Sequence, residues 1–271
     1  MSDSVAEREA LAGPGEVLRE WRARRRRSQL ELAISAGVSA RHLSFVETGR
    51  SRASRELLLT LSESLEVPLR ERNALLLAGG YAPVYTASDL DDEQLQAIRA
   101  ALDHLLTGHE PYPALVIDRW GDMQLSNRAV APLLVGVDPE LLAPPVNIYR
   151  LSLHPAGLAP RIRNLGAWAA HLIERLDRLT RATGDARLAD LLAEMCRCSP
   201  RPRDPHSRPE HDVLLPLQLE HPSGELNLHS TVTHFGAPHD VSLAELAVES
   251  FFPADEQTRR ILGELAAGQA S

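Results

Sequence analysis

The stretch from Gln29 to Val46, Gln-Leu-Glu-Leu-Ala-Ile-Ser-Ala-Gly-Val-Ser-Ala-Arg-His-Leu-Ser-Phe-Val, constrains this chain more than any other. Its apolar residues recur at helical spacing on both sides of Gly37, which predicts two short helices joined by a tight turn. Ser28 and Glu31 stand three apart, as a capping box requires, and Ala33 is small enough to let the helices cross closely. Leu32, Ala36, Val38, Leu43 and Val46 then fall inward. The second helix, about Ser39 to Glu47, turns Ala40, Arg41, Ser44 and Phe45 outward. Helical periodicity continues from Gly15 to Ala78 with breaks at Gly37, Gly49 and Val67-Pro68, so the expected unit is an all-α domain of five short helices. Gly79-Gly80-Tyr81-Ala82-Pro83 stops the last helix and places a boundary near residue 80.

Charge shows what such a unit can meet. The chain carries 29 basic residues, all Arg, against 37 acids, a net −8 that disfavours polyanions. Residues 1–80 hold 13 Arg and 11 acids, however, whereas residues 81–271 hold 16 and 26. Within Gly15 to Arg55 the balance is 10 Arg to 4 acids, a local excess able to follow a phosphate backbone.

On the second helix Arg41 can reach two guanine acceptors in a major groove, Phe45 can pack on a thymine methyl, and His42 can meet a base or a phosphate. Ser39, Ala40 and Ser44 share that surface. Gln29, Arg24 to Arg27, Arg50 and Arg52 are candidates for phosphate contacts, which set register without reading sequence. The alternative is a five-helix interaction domain with a solvated Arg-rich surface and Phe45 in its core. Helix-turn-helix proteins commonly read paired half-sites, so a homodimer is expected.

Residues 15–80 resemble the Xre/Cro-type helix-turn-helix, and residues 15–262 resemble the MmyB-like transcription regulators. The resemblance is carried by Arg41-His-Leu-Ser-Phe-Val-Glu-Thr-Gly-Arg-Ser-Arg, Val67-Pro-Leu-Arg-Glu-Arg-Asn-Ala-Leu-Leu-Leu-Ala-Gly, Glu110-Pro-Tyr-Pro-Ala-Leu-Val-Ile-Asp-Arg and Ser250-Phe-Phe-Pro-Ala-Asp-Glu. It implies a C-terminal PAS-like domain that binds a small apolar ligand such as a fatty acid. Two departures stand out. Ala53 replaces a Pro common in relatives, which loosens its loop, and the hairpin at Arg119-Trp120 lacks a residue that relatives often carry.

Read from its own residues, the remainder is an acidic linker and helix over residues 81–106, with the helix pattern near Asp89 to Leu106, then an α+β domain over 107–271. Ala114 to Asp118 and Met123 to Ser126 read as strands around the turn Arg119-Trp120-Gly121-Asp122. Helices are expected over Asn127 to Leu134, Arg161 to Thr180 and Ala186 to Arg197, a mobile Pro- and Arg-rich loop over Ser199 to Glu210, and strands near Val213 to Glu220, Glu225 to Thr233 and Ser242 to Val248. An antiparallel sheet with helices over one face can enclose an apolar pocket. Leu115, Ile117, Leu125, Leu226, Leu228 and Val232 are candidates for its lining, against the plainer reading of ordinary core. In a segment shared with the resembled family, Arg150, His154, Arg161 and Asn164 are candidates to hold an acidic head group, or else serve as caps and surface ion pairs.

Other chemistries find little support. His221, His229 and His234 lack the spacing of a metal site, and Cys196 and Cys198 read as reduced, incidental thiols. No nucleophile elbow, phosphate-cradling loop or dinucleotide fingerprint is present, so no enzyme and no cofactor are expected beyond a fatty-acid-like ligand. Neither a membrane span nor a leader is visible, which points to the cytoplasm. The leading expectation is thus a sequence-specific regulator that senses a ligand. Its competitors are a regulator governed by a protein partner, which a fully packed second core would favour, and a DNA-binding domain fused to a metabolic enzyme, which needs paired titratable groups in a pocket.

Overall fold

A computed structural model describes residues 13–88, 92, 95–199, 215–235 and 240–269. The expected loop Ser199 to Glu210 lies outside them beyond its first residue, as do most of residues 89–94 and the start of the strand expected from Val213. The chain divides into two compact units, the first made of residues up to Ala87 together with the short segments 181–186 and 238–241, and the second of the remaining residues from Ser88 onward.

Among the described residues the first unit holds five helices: α1 (Pro14–Arg24), α2 (Gln29–Ser35), α3 (Ala40–Glu47), α4 (Arg55–Ser64) and α5 (Leu69–Ala78). Local chemistry starts three of them. Ser28, Ser39 and Ser54 accept the backbone N–H of Glu31, His42 and Leu57, satisfying donors that a helix N-terminus leaves open. Glu31 completes the capping box by accepting the N–H of Ser28 at 2.6 Å. Between α2 and α3, Gly37 takes φ +66°, where a side chain is strained. Leu18, Leu32, Leu43, Leu58, Leu61 and Leu75 are fully buried, each stabilising the unit by roughly 1.5–3 kcal/mol. Gly15 lets α1 lie directly on α3, since a Cβ there would stand 2.1 Å from the Val46 carbonyl oxygen.

The second unit is α+β. Its elements run α6 (Gln96–Gly108), β1 (Ala114–Ile117), β2 (Met123–Ser126), a 3₁₀ helix (Arg128–Leu134), α7 (Ile148–Leu153), α8 (Leu165–Thr183), α9 (Ala186–Cys198), β3 (Leu217–His221), β4 (Gly224–His234), α10 (Val241–Glu245), β5 (Ala247–Pro253) and α11 (Glu256–Gln269). The antiparallel sheet is ordered β2-β1-β5-β4-β3, with helices inserted between β2 and β3. That order makes it a PAS-like domain.

Register assigns each side chain to a face. Leu115 pairs with Glu249 and Val116 with Val248, so the odd-numbered residues of β1 and β5 share one face and the even-numbered ones the other. Ala114, Val116 and Val248 pack with Leu102 and Leu106 of α6. On the opposite face Leu115, Leu219, Leu226 and Leu228 join Trp168, Leu172, Leu188 and Met195 in the main core.

The last strand departs from expectation. Residues 242–245 lie in α10, and β5 starts at Ala247 and runs through Phe251-Phe252. Both periods fit here, because Leu243 and Leu246 stand a helical turn apart while Ala244, Leu246 and Val248 alternate. Pairing with β1 and β4 selects Ala247–Pro253 as strand. Helices α7 and α11 were also unforeseen.

Candidate functional site

The candidate DNA-contacting surface is built on α3. Ser39 caps it, Leu43 and Val46 anchor it in the core, and Arg41 and His42 are exposed on its first turn. The Arg41 guanidinium carbon lies 5.4 Å from the centre of the half-buried Phe45 ring, so an exposed cation stands beside a partly covered apolar ring. Ser44 is half-buried, and its carbonyl accepts the Thr48 hydroxyl at 2.7 Å. Ala40 is less outward than expected: it is half-buried and packs at the margin of the core. Arg50 and Arg52 are exposed, with Arg52 held over the Tyr81 ring at 5.8 Å.

Several expected phosphate ligands are committed elsewhere. Gln29 donates one of its two Nε2 hydrogens to Glu47 at 2.8 Å. Arg25 donates to the carbonyls of Leu65 and Glu66, and Arg27 to that of Ser64, where the exposed carbonyls ending α4 draw cations. Arg25 and Arg27 therefore tie the turn after α1 to the end of α4. Glu47, which the sequence reading did not single out, is buried at the end of α3 and receives a fork from Arg22 as well. Burial pushes its carboxyl upward, but hydrogen bonds from Arg22 and Gln29 outweigh that and hold it below the usual carboxylate range.

The second unit contains a largely apolar cavity of about 70 Å³ that opens in part to solvent. Leu115 from β1, Val130 and Leu133 from the 3₁₀ helix, Leu151 from α7, Trp168 and Leu172 from α8, and Phe251 from β5 supply its apolar wall. Ser152 and Glu249 add polar atoms. Glu249 Oε2 accepts from Arg175 Nη1 at 3.1 Å, and both residues are largely buried. The Arg175 guanidinium is opposed by burial, yet the charge of Glu249 keeps it above its ordinary range.

Of the expected lining residues, Leu115 reaches the cavity. Ile117, Leu226 and Leu228 belong to the same core without lining it. Leu125 faces away: it pairs with Val116 and packs beside Ile98 and the α6 core. Val232 is on the cavity side of β4 but 37% exposed. The head-group candidates have other partners. Arg150 forks onto Glu194 at 2.8 Å from both nitrogens; the N–H of Ala156 donates to His154 Nδ1; Arg161 donates to the Leu133 carbonyl at 2.7 Å; Asn164 Nδ2 donates to Pro216 and its Oδ1 accepts from Gln218. Burial lowers the Arg161 guanidinium from its ordinary value.

Trp168, Ser152 and Glu249 were missed. The signal for Trp168 was legible in the helical spacing of Trp168, Leu172 and Leu176, and that for Glu249 in the alternation of Ala247, Glu249 and Phe251. Among the described residues no group of three or more His, Cys, Asp or Glu could hold a metal, and His229 and His234 fall on opposite faces of β4. No helix of the described residues is long and apolar enough to cross a membrane.

A helix-turn-helix family model matches residues 18–72, and that of the MmyB-like transcription regulator ligand binding domain matches residues 98–265. No curated protein matches the chain. Among solved structures, an RNA-binding light-oxygen-voltage receptor aligns at 13% identity over 98% of this chain and 67% of its own, with a TM-score of 0.29, too weak a likeness to carry a conclusion.

Proposed function

The chain belongs to the MmyB-like transcription regulators, and from that premise we propose that α3 reads a specific operator while the cavity of the second unit takes a small apolar ligand of acyl-chain character that alters operator affinity. The coarser function is that of a ligand-responsive transcriptional regulator. The observation that carries the ligand reading is the apolar cavity between the sheet and the helices over it, at Leu115, Val130, Leu172 and Phe251. A regulator governed only by a protein partner has no use for such a space, so the cavity favours the small molecule. Exposed Arg41, with the half-buried Phe45 ring beside it, supports base contact in a major groove. A homodimer suits the paired half-sites that such helices read.

The test uses full-length protein and the duplex it selects from a random pool. Alkyl ligands of increasing length are titrated with and without that duplex. Any factor by which ligand changes operator affinity must appear as the same factor in ligand affinity when operator is bound. Saturable ligand binding that ignores the operator would reject sensing, and absence of ligand binding would return the protein-partner reading.

A further inference from the structure

The cavity of the second unit holds about 70 Å³, well under the roughly 300–1,000 Å³ of sites that enclose small molecules. An alkyl chain of any length therefore enters only if a wall moves. The sheet and most of the helices around the cavity are held firmly. β1 and β5 each lie between two hydrogen-bonded neighbours in the sheet. α8 is a 19-residue α-helix with Trp168, Ala169, Leu172 and Leu176 buried. α7 is capped by buried Asn147, whose Oδ1 accepts the backbone N–H of Tyr149 and Arg150, and the fork from Arg150 to Glu194 ties it to α9.

The 3₁₀ helix Arg128–Leu134, which lends the cavity Val130, Leu133 and Leu134, is held differently. Seven residues is long for a helix of this kind, whose bonds are poorly aligned, and Pro132 inside it has no N–H to give. Its first end is fixed by Asn127, which accepts the Ala114 N–H and donates to the Leu106 and Tyr112 carbonyls. Its far end runs into exposed Val135 and into Gly136, at φ +84° with open space where a side chain would stand. Among the described residues, 129–137 make one hydrogen bond to another element: the Leu133 carbonyl accepts Arg161 Nη2 at 2.7 Å. Arg161 ends a short 3₁₀ turn (Ala159–Arg161), is half-buried, and makes no other hydrogen bond or ion pair among the described residues.

Resting on the cavity as the ligand site, we infer that the 3₁₀ helix Arg128–Leu134 is the wall that moves to admit an alkyl chain, and that Arg161 is the positioning residue that latches it shut. Unlatching costs a hydrogen bond to a charged donor, and the entering chain replaces the apolar contacts that Val130, Leu133 and Leu134 give up. Affinity for a long chain is then reduced by the small fraction of protein that is unlatched. Arg161 thus governs entry of long ligands without touching them, and leaves small ones unaffected.

The experiment compares wild type with Arg161→Met as full-length proteins, following dansyl-labelled undecanoate by stopped-flow fluorescence. In the variant the association rate and the affinity should both rise about tenfold or more, while dissociation stays within about twofold, because the bound form is unlatched in both proteins. Xenon is small enough for the cavity as it stands, so its affinity, read by xenon NMR, should be the same in the two. Should Arg161→Met fail to fold, Arg161→Gln keeps a donor on a shorter stem and should give a smaller rise in the same direction. Equal association rates in wild type and a folded variant overturn the latch and leave the cavity as a ligand site. Faster dissociation with weaker binding, or a xenon affinity that changes as much as that of the labelled acid, would show general loosening and also overturn the latch. Xenon binding with no binding of the labelled acid to either protein overturns the acyl-chain reading of the cavity and the latch with it.

Discussion

Arg22 donates Nε and Nη2 to the two carboxylate oxygens of Glu47, at 2.7 and 2.8 Å, and so fastens α1 to the last turn of the helix that carries Arg41. Glu47→Ala should cost about 3 kcal/mol, the lower part of the range for a broken buried pair, because Arg22 keeps some exposure to water. The folded carboxyl sits below its unfolded value, so the stability it contributes is present above the unfolded pKa and lost as pH falls through the folded one. Thermal unfolding of both proteins along a pH series checks this: the difference should shrink in acid. Equal stability at neutral pH would remove the pair from any account of how α3 is held.

Arg41→Ala should lower discrimination between the selected operator and scrambled DNA by about 1–3 kcal/mol, the worth of a bidentate base contact. Arg41 is exposed on the first turn of α3 and stacked against Phe45, so its loss leaves no buried partner unsatisfied and the fold should be unchanged. Competition binding reads the discrimination and circular dichroism the fold. Arg52→Ala, by contrast, should weaken binding to both duplexes alike and reduce the salt dependence.

In the hairpin between β1 and β2, Asp118 Oδ1 accepts the backbone N–H of both Trp120 and Asp122 at 2.9 Å. Burial raises its pKa to about 6, against those hydrogen bonds, and neighbouring Asp122 adds to the rise. The unfolded value is near 3.9, so the contribution is full below that pH and lost as pH rises to about 6. A two-unit difference corresponds to about 3 kcal/mol, and solvent screening of a partly exposed group brings the expected loss to roughly 1–2 kcal/mol. Asp118→Asn keeps an acceptor for the turn and cannot ionise. Over that pH window the wild type should therefore lose stability relative to the variant, as read by denaturant unfolding. Parallel curves would show that the carboxyl titrates normally.

How much of this was legible in the sequence depends on the range of each interaction. Ser28 with Glu31 and the turn at Gly37 are settled within a few residues, so the helix-turn-helix could be read directly. Arg22 and Glu47 lie 25 positions apart, and nothing local distinguishes Arg22 from the Arg residues after it. The PAS-like sheet was legible as strands but not as register: a shift between Val116 and Ile117 and the pairing of Leu125 with Val116 place Leu125 on the face away from the cavity. Reading the last strand as ending at Val248 hid Glu249 and Phe251, which only pairing with β1 brings to the cavity.

Val130 offers the most direct test of where the alkyl chain lies. It is buried in the 3₁₀ helix after β2, lines the cavity and belongs to the main core, yet makes no side-chain hydrogen bond whose loss would confuse the outcome. Val130→Phe should place its ring in the cavity at a tolerable cost to the fold, since the space is already present and overpacking is penalised chiefly where none exists. In wild type, affinity should rise with each added methylene by up to roughly 0.8 kcal/mol until the cavity is full, and then level off. In the variant the plateau should arrive at a shorter chain while the shortest ligands bind almost as before, because only methylenes that reach Val130 are displaced. Calorimetric titration of a 1-alkanol series into both proteins measures the two plateaus. If both proteins level off at the same length, the chain does not run past Val130; if the variant loses all lengths equally, the ring has disturbed the polar end or the fold, and a thermal melt separates those two.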